Sequence, residues 1–187
     1  MLLKSARETA QVGKRLGVAR LNLHGTGLGN GGIPIAQTDV VSGAMWLKAR
    51  DTLNRICDMA EEEGVTYTIE NLNLLDHPGC PFNSTADVLA LVSSVNRPQL
   101  RLNLDLYHTQ IGEGDLIRWC EKCLPWIGEV QVADNPGRCE PGSGEINFRG
   151  VALALKKMGY RGPVGMEALA SGDPEQALEA FRTAFTV

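Results

Sequence analysis

Five side chains able to hold a proton or a cation close, or nearly close, five short strand-like runs. His24 ends the run 19–24, Glu70 ends 65–70, Asp105 ends 100–105, Gln131 lies in 129–133 and Glu167 ends 164–167. From Glu70 onward they are separated by 35, 26 and 36 residues. Parallel strands would bring all five to one rim. Three carboxylates in an apolar-walled mouth repel one another, and a divalent cation between them removes that repulsion. Glu70, Asp105, Gln131 and Glu167 all offer oxygen, which favours a hard ion such as Mg2+ or Mn2+ over zinc. The alternative is that each carboxylate opens a solvated loop or pairs with an arginine. That suits any one of them better than it suits four in matching phase on successive strands.

The elements that would position these residues alternate along the chain. Helical patterns cover 4–16 (Ala6, Val12, Leu16), 39–63 (Val41, Ala44, Leu47, Leu53, Ile56, Ala60), 85–95, 149–158 and 174–184. Ser84, with Asp87 three residues on, caps the third of these, which buries Leu89, Val92 and Val95. Gly159 closes the fourth, and Asp173-Pro174 opens the fifth. Strand, helix, strand, helix without hairpin turns predicts parallel βα units. The strands share a phase. Leu100, Leu102 and Leu104 face one way, and Arg101, Asn103 and Asp105 the other; Val65, Tyr67 and Ile69 likewise oppose Thr66, Thr68 and Glu70. Strands of an open doubly wound sheet are apolar on both faces. One apolar and one polar face instead predict a closed barrel, with helices outside and polar residues within.

The 187 residues fit a single domain, 1–187, with no linker or low-complexity run. A net charge of −4 discourages a nucleic-acid partner. No stretch approaches the ~20 apolar residues that span a bilayer. Five cysteines in no regular framework predict free thiols, a reducing compartment and a cytoplasmic location. Cys120 and Cys123 form a CxxC. A redox pair or half a zinc site would use that spacing, but a helix over 114–124 that buries both, together with Ile117 and Trp119, explains it better.

Several other positions carry two readings. His24 either lines a pocket or is a hydrogen-bonded core residue. Asp76 and His77 either touch substrate or shape the turn before Pro78. Glu145, in Gly142-Ser143-Gly144-Glu145, suits loop fixing better than catalysis. The glycine-rich stretch 25–32 lacks the lysine and the spacing of a P-loop, so a flexible lid over the barrel mouth fits it better.

Ile69-Glu70-Asn71-Leu72-Asn73 with Asp76-His77-Pro78-Gly79, Leu104-Asp105-Leu106-Tyr107-His108, Val130-Gln131-Val132-Ala133-Asp134 with Pro136-Gly137-Arg138, Pro141 to Asn147, and Gly165-Met166-Glu167-Ala168 together resemble the hydroxypyruvate isomerase family of xylose-isomerase-like barrels. The resemblance covers nearly the whole chain in order. It implies a divalent cation, Mg2+ or Mn2+, on Glu70, Asp105, Gln131 and Glu167. It further implies Glu70 and Glu167 as the acid/base pair, and His108 and Arg138 as substrate contacts. The implied reaction converts hydroxypyruvate to 2-hydroxy-3-oxopropanoate through an enediolate. The partner is then a small hydroxy-oxo acid or sugar, with neither nucleic acid nor membrane involved. Alternatives are a ketose 3-epimerase, against which Gln131 speaks because epimerases tend to carry His there, an isomerase of four-carbon oxo acids, and an inactive partial barrel. An endonuclease of the superfamily is disfavoured by the charge and by only three histidines.

The family's barrel has eight strands, and the first strand here resembles its fourth. The expected fold is therefore α/β, a (β/α)8 TIM-barrel type N-terminally truncated to about five βα units. Either the chain is a fragment of a longer gene or it is a reduced protein that needs a partner. Two open sheet edges and a partly exposed polar face follow, and exposed edges invite pairing with another chain, as in a homo-oligomer.

Overall fold

A computed structural model of the chain describes residues 2–38 and 40–187. Its elements run α1 (Leu2–Arg15), β1 (Arg20–Leu23), α2 (Gly43–Glu63), β2 (Thr66–Glu70), α3 (Thr85–Val95), β3 (Leu100–Asp105), α4 (Leu106–Gly112), α5 (Leu116–Cys123), β4 (Ile127–Val132), α6 (Phe148–Lys157), β5 (Val164–Met166) and α7 (Pro174–Phe185). The five strands form one parallel sheet in the order β1-β2-β3-β4-β5. These are five consecutive βα units, as the alternation predicts, with β1 and β5 as edges.

Local chemistry sets the helix ends. Ser42 caps α2 by accepting from Met45 N at 3.3 Å, and Gly64 ends it in the left-handed conformation at φ 67°. The predicted helix over 39–63 therefore begins only at Gly43, and its first residue, Asp39, lies outside the described residues. Ser84 caps α3 through Asp87 N at 3.0 Å. The helix α4 is missing from the sequence-based elements; Asp105 starts it by accepting from Tyr107 N at 2.8 Å and His108 N at 3.1 Å.

The core joins the apolar strand face to the helices. Tyr67, Ile69, Leu100, Leu102, Leu104, Val130 and Val132 pack with Ile56, Leu91, Val92, Cys120, Cys123 and Val151. Burial of Cys120 and Cys123 agrees with the helix-core reading of the CxxC, and burial pushes both thiols up to about 12. Some expected core residues are exposed instead: Val12, Leu16, Leu47 and Ile117. Val12, Leu47 and Ile117 sit off the inward stripe of their helices, and Leu16 lies in the turn after α1. That stripe runs through Ala6, Ala10 and Gly13 in α1, through Leu53, Ile56 and Ala60 in α2, and through Leu116, Cys120 and Cys123 in α5. No helix among the described residues is long and apolar enough to cross a membrane.

On the polar face, Thr68, Glu70, Asn103 and Asp105 are buried, whereas Arg20 and Asn22 on edge strand β1 are exposed. The inner face is thus closed at its centre and opens toward the edges, as a barrel lacking some strands requires.

Candidate active site

Strand register carries the predicted residues to one rim. Glu70 pairs with Asn103 across β2 and β3, Asp105 pairs with Gln131 across β3 and β4, and Val132 pairs with Met166, the residue before Glu167. Each of the four candidate ligands therefore stands at or next to the end of one of four adjacent strands.

Glu70 is almost fully buried and heavily engaged. Its Oε2 accepts from the Asn22 amide and lies 3.1 Å from His24 Nε2, while its Oε1 is 3.8 Å from His108 Nε2. Burial alone would raise its carboxyl. The hydrogen bond and charge of His24, with the Asn22 amide, outweigh this and hold it below the usual carboxylate range. The same hydrogen bond raises His24 above the ordinary histidine value. His24 lines the site at its open side.

Asp105 is the opposite case. Burial first, and then the charge of Glu70, push its carboxyl up to about 7. The two hydrogen bonds its Oδ1 accepts from the start of α4 do not offset that. His108 is fully buried, and burial together with the Arg138 charge pushes its ring down to about 3, so it is neutral at ordinary pH. Glu70, Asp105 and His108 bring one potential ligand atom each within 4.8 Å of one another.

A cation fits the donors present. Gln131 Oε1 is a buried acceptor with no hydrogen-bond partner, at the position paired with Asp105. The raised carboxyl of Asp105 marks uncompensated negative charge. Glu70, Asp105 and Gln131 could hold a divalent ion through oxygen. Glu167 stands apart from this cluster: its side chain is 54% exposed and accepts from Arg138 Nη2 at 3.1 Å. It could reach either a cation or a substrate at the mouth.

Arg138 is presented by the loop after β4. It adopts a left-handed backbone at φ 53°, and its guanidinium lies 5.1 Å from the centre of the Tyr107 ring. Asp134, which the sequence-based reading did not single out, builds that loop. Its buried carboxylate accepts from Asn135 N at 2.9 Å, Ile146 N at 2.9 Å and Gly142 N at 2.8 Å. Glu145 accepts from Asn135 Nδ2 and Gln110 Nε2, bonds of the loop-fixing kind.

Two asparagines after β2 also escaped the sequence-based reading. Asn71 Oδ1 accepts from Asp105 N at 2.9 Å, and its amide donates to the Asp105 carbonyl and to Thr109 Oγ1, both at 3.1 Å. Asn73 joins the Asp76 turn to His108. Asp76 shapes that turn, and His77 Nδ1 holds the Gly32 carbonyl at 2.7 Å. The glycine-rich stretch folds back on itself through the Leu28–Pro34 bridge and is tied to the loop after β2.

A family model described as "Xylose isomerase-like TIM barrel" matches residues 3–184. Hydroxypyruvate isomerase of Escherichia coli K12 is 35% identical over 117 residues, 63% of this chain and 45% of that protein. The 2-oxo-tetronate isomerase of Cupriavidus necator is 36% identical over 108 residues, 58% of this chain and 42% of that protein. The matched stretches thus cover less than half the length of these two curated relatives. Among solved structures, one described as an AP endonuclease, family 2, from Brucella melitensis superposes with a TM-score of 0.78 at 29% identity, over 96% of this chain and 68% of that one. With the family model spanning nearly every residue and the strand order of a partial barrel, the chain belongs to the xylose isomerase-like TIM barrel family.

Proposed function

We propose that the chain carries the cation-holding and proton-transferring side of an isomerase for a small hydroxy-oxo acid, with hydroxypyruvate as substrate and 2-hydroxy-3-oxopropanoate as product. The observation that carries this reading is the buried group of Glu70 and Asp105 beside the unpartnered Gln131 Oε1, at one rim with Arg138 and Glu167. Similarity to the E. coli hydroxypyruvate isomerase supports the choice of substrate.

In this proposal Glu70, Asp105, Gln131 and Glu167 hold Mg2+ or Mn2+. When bound, the ion polarises the substrate's carbonyl and hydroxyl oxygens and lowers the cost of negative charge on them. The rest is done by side chains. Arg138, a planar two-pronged donor, holds the substrate carboxylate, and Tyr107 beneath the guanidinium keeps it in place. One glutamate of the Glu70–Glu167 pair takes a proton from the hydroxymethyl carbon and leaves an enediolate. A proton returned to the neighbouring carbon, with the hydroxyl proton moving from one oxygen to the other, completes the aldehyde. Glu167 suits the first step, since it is open to the mouth. Glu70, held ionised among donors, suits anchoring, and the proton that Glu167 has taken is the one that returns to the neighbouring carbon.

The test is hydroxypyruvate isomerisation with Mg2+ or Mn2+ in deuterated water. Turnover with deuterium at the new C–H, lost on chelation, is expected. Unchanged turnover in Glu167→Gln would overturn the assignment. A second reading, an isomerase of four-carbon oxo acids, draws on the C. necator relative. It uses the same chemistry, and the ratio of kcat/KM for the two substrates separates the readings.

A further inference from the structure

His108 is placed where it could ligate a cation, act as a base or donate a hydrogen bond. Which of these it can do depends on which ring nitrogen carries the proton. Its Nδ1 lies 2.6 Å from Asn73 Nδ2. The orientation of that amide is set independently: Asn73 Oδ1 accepts from Asp76 N at 2.8 Å, and Asn73 Nδ2 donates to Asp76 Oδ2 at 3.0 Å. Flipping the amide would set an oxygen against a carboxylate and an NH2 against an N–H. The nitrogen facing His108 is therefore the amide NH2, which can only donate. His108 Nδ1 must accept, so it bears no proton, and the ring proton sits on Nε2. That nitrogen is buried with no partner, 3.8 Å from Glu70 Oε1.

We propose that Asn73 is a positioning residue that holds His108 as the Nε2–H tautomer, so that His108 serves the site as a hydrogen-bond donor to a substrate oxygen and neither as a metal ligand nor as a base. A nitrogen that carries a proton has no lone pair for a cation. His108 therefore leaves the ion to the oxygen donors, although it lies within reach of Glu70 and Asp105. A donor aimed beside the carboxylates strengthens as charge develops on the enediolate oxygen; this last consequence rests on the isomerase reading. The neighbouring imidazole supplies a built-in contrast. His77 Nδ1 faces the Gly32 carbonyl at 2.7 Å, an acceptor only, so its proton sits on Nδ1. The two rings lie edge to face, 5.3 Å apart, and hold opposite tautomers.

The experiment is long-range 1H–15N correlation NMR on protein labelled in its three histidines, each assigned by substitution to Gln. Near neutral pH, His108 is expected to show a protonated Nε2 and a bare Nδ1, and His77 the reverse. Added Mg2+ should leave the His108 proton in place. A proton on Nδ1 of His108, or loss of the Nε2 proton on adding Mg2+, would overturn the proposal. In Asn73→Asp the carboxylate can only accept, so a proton should appear on Nδ1; an unchanged Nε2–H pattern there would also overturn it. If that variant does not fold, the wild-type spectrum alone decides. Where turnover is measurable, Asn73→Asp should lower kcat by about 10²-fold, the usual loss of one transition-state donor, with a smaller change in KM. The expected tautomers in a protein without isomerase activity would sustain the assignment while removing the isomerase reading.

Discussion

Two carboxylates a few ångströms apart respond to burial in opposite directions because their partners differ. Glu70 collects donors from Asn22 and His24 and remains ionised. Asp105 has only two backbone donors and the adverse charge of Glu70, which with its burial raises it to about 7. The sign of the consequence is fixed by linkage. In the unfolded chain this carboxyl ionises near the ordinary aspartate value. Between that value and about 7 the folded state binds more protons, so stability falls as pH rises through this window and the full penalty is felt above 7. Asp105→Asn keeps an acceptor for the α4 cap and removes the charge. At pH 8 without divalent ions it should stabilise the protein by on the order of 2 kcal/mol, measured by urea unfolding; destabilisation would show that Asp105 is not under charge stress. At the mouth, Glu167→Gln should cut turnover by about 10²–10⁴-fold with the ion still bound. Arg138→Ala should instead raise KM at least as much as it lowers kcat, because it removes the proposed partner of the substrate carboxylate. Equal KM values for the two variants would count against these separate roles.

Elements explain which parts of the site were legible in the sequence. A polar residue at the end of each alternating strand is a local pattern, so Glu70, Asp105, Gln131 and Glu167 could be placed on adjacent strands from period and phase alone. The helix α4 could not, because Asp105 was read only as a ligand while its side chain also starts a helix one residue later. Asn71, Asn73 and Asp134 act by accepting from the backbone N–H groups of Asp105, Asp76 and Ile146, and no periodicity reports such contacts. The exposed Val12 marks a different limit: small residues, Ala6, Ala10 and Gly13, form the inward stripe in α1, so hydrophobicity alone points to the wrong face. The loop after β4 offers a test at this scale. Asp134→Ala leaves three backbone N–H groups without their acceptor, which should cost roughly 2–4 kcal/mol. Because the same loop carries Arg138, KM should rise in any folded sample. A variant with native stability would mean that water replaces the carboxylate.

As a whole, the molecule is an arc of five βα units with edges at β1 and β5 and a polar inner face that opens toward them. Leu16 and Val18 stand exposed in the turn that leads into β1. Unpaired strand edges beside exposed apolar side chains favour association, so light scattering of the purified chain should find dimers or larger species; a monomer with one sharp unfolding transition would contradict this. The proposed cation site belongs to the same scale, since its four proposed donors stand on four adjacent strand ends and would bind together only when the sheet is formed. Ligand that binds only the folded state stabilises it by mass action. The most direct measurement is calorimetric titration of the chain with Mn2+ and Mg2+, paired with thermal unfolding at pH 6 and pH 8. The account predicts one site per chain, tighter binding at pH 8 because Asp105 must lose its proton first, a raised unfolding temperature, and loss of both effects in Asp105→Asn. Absence of divalent binding, or binding unchanged in Asp105→Asn, would contradict it.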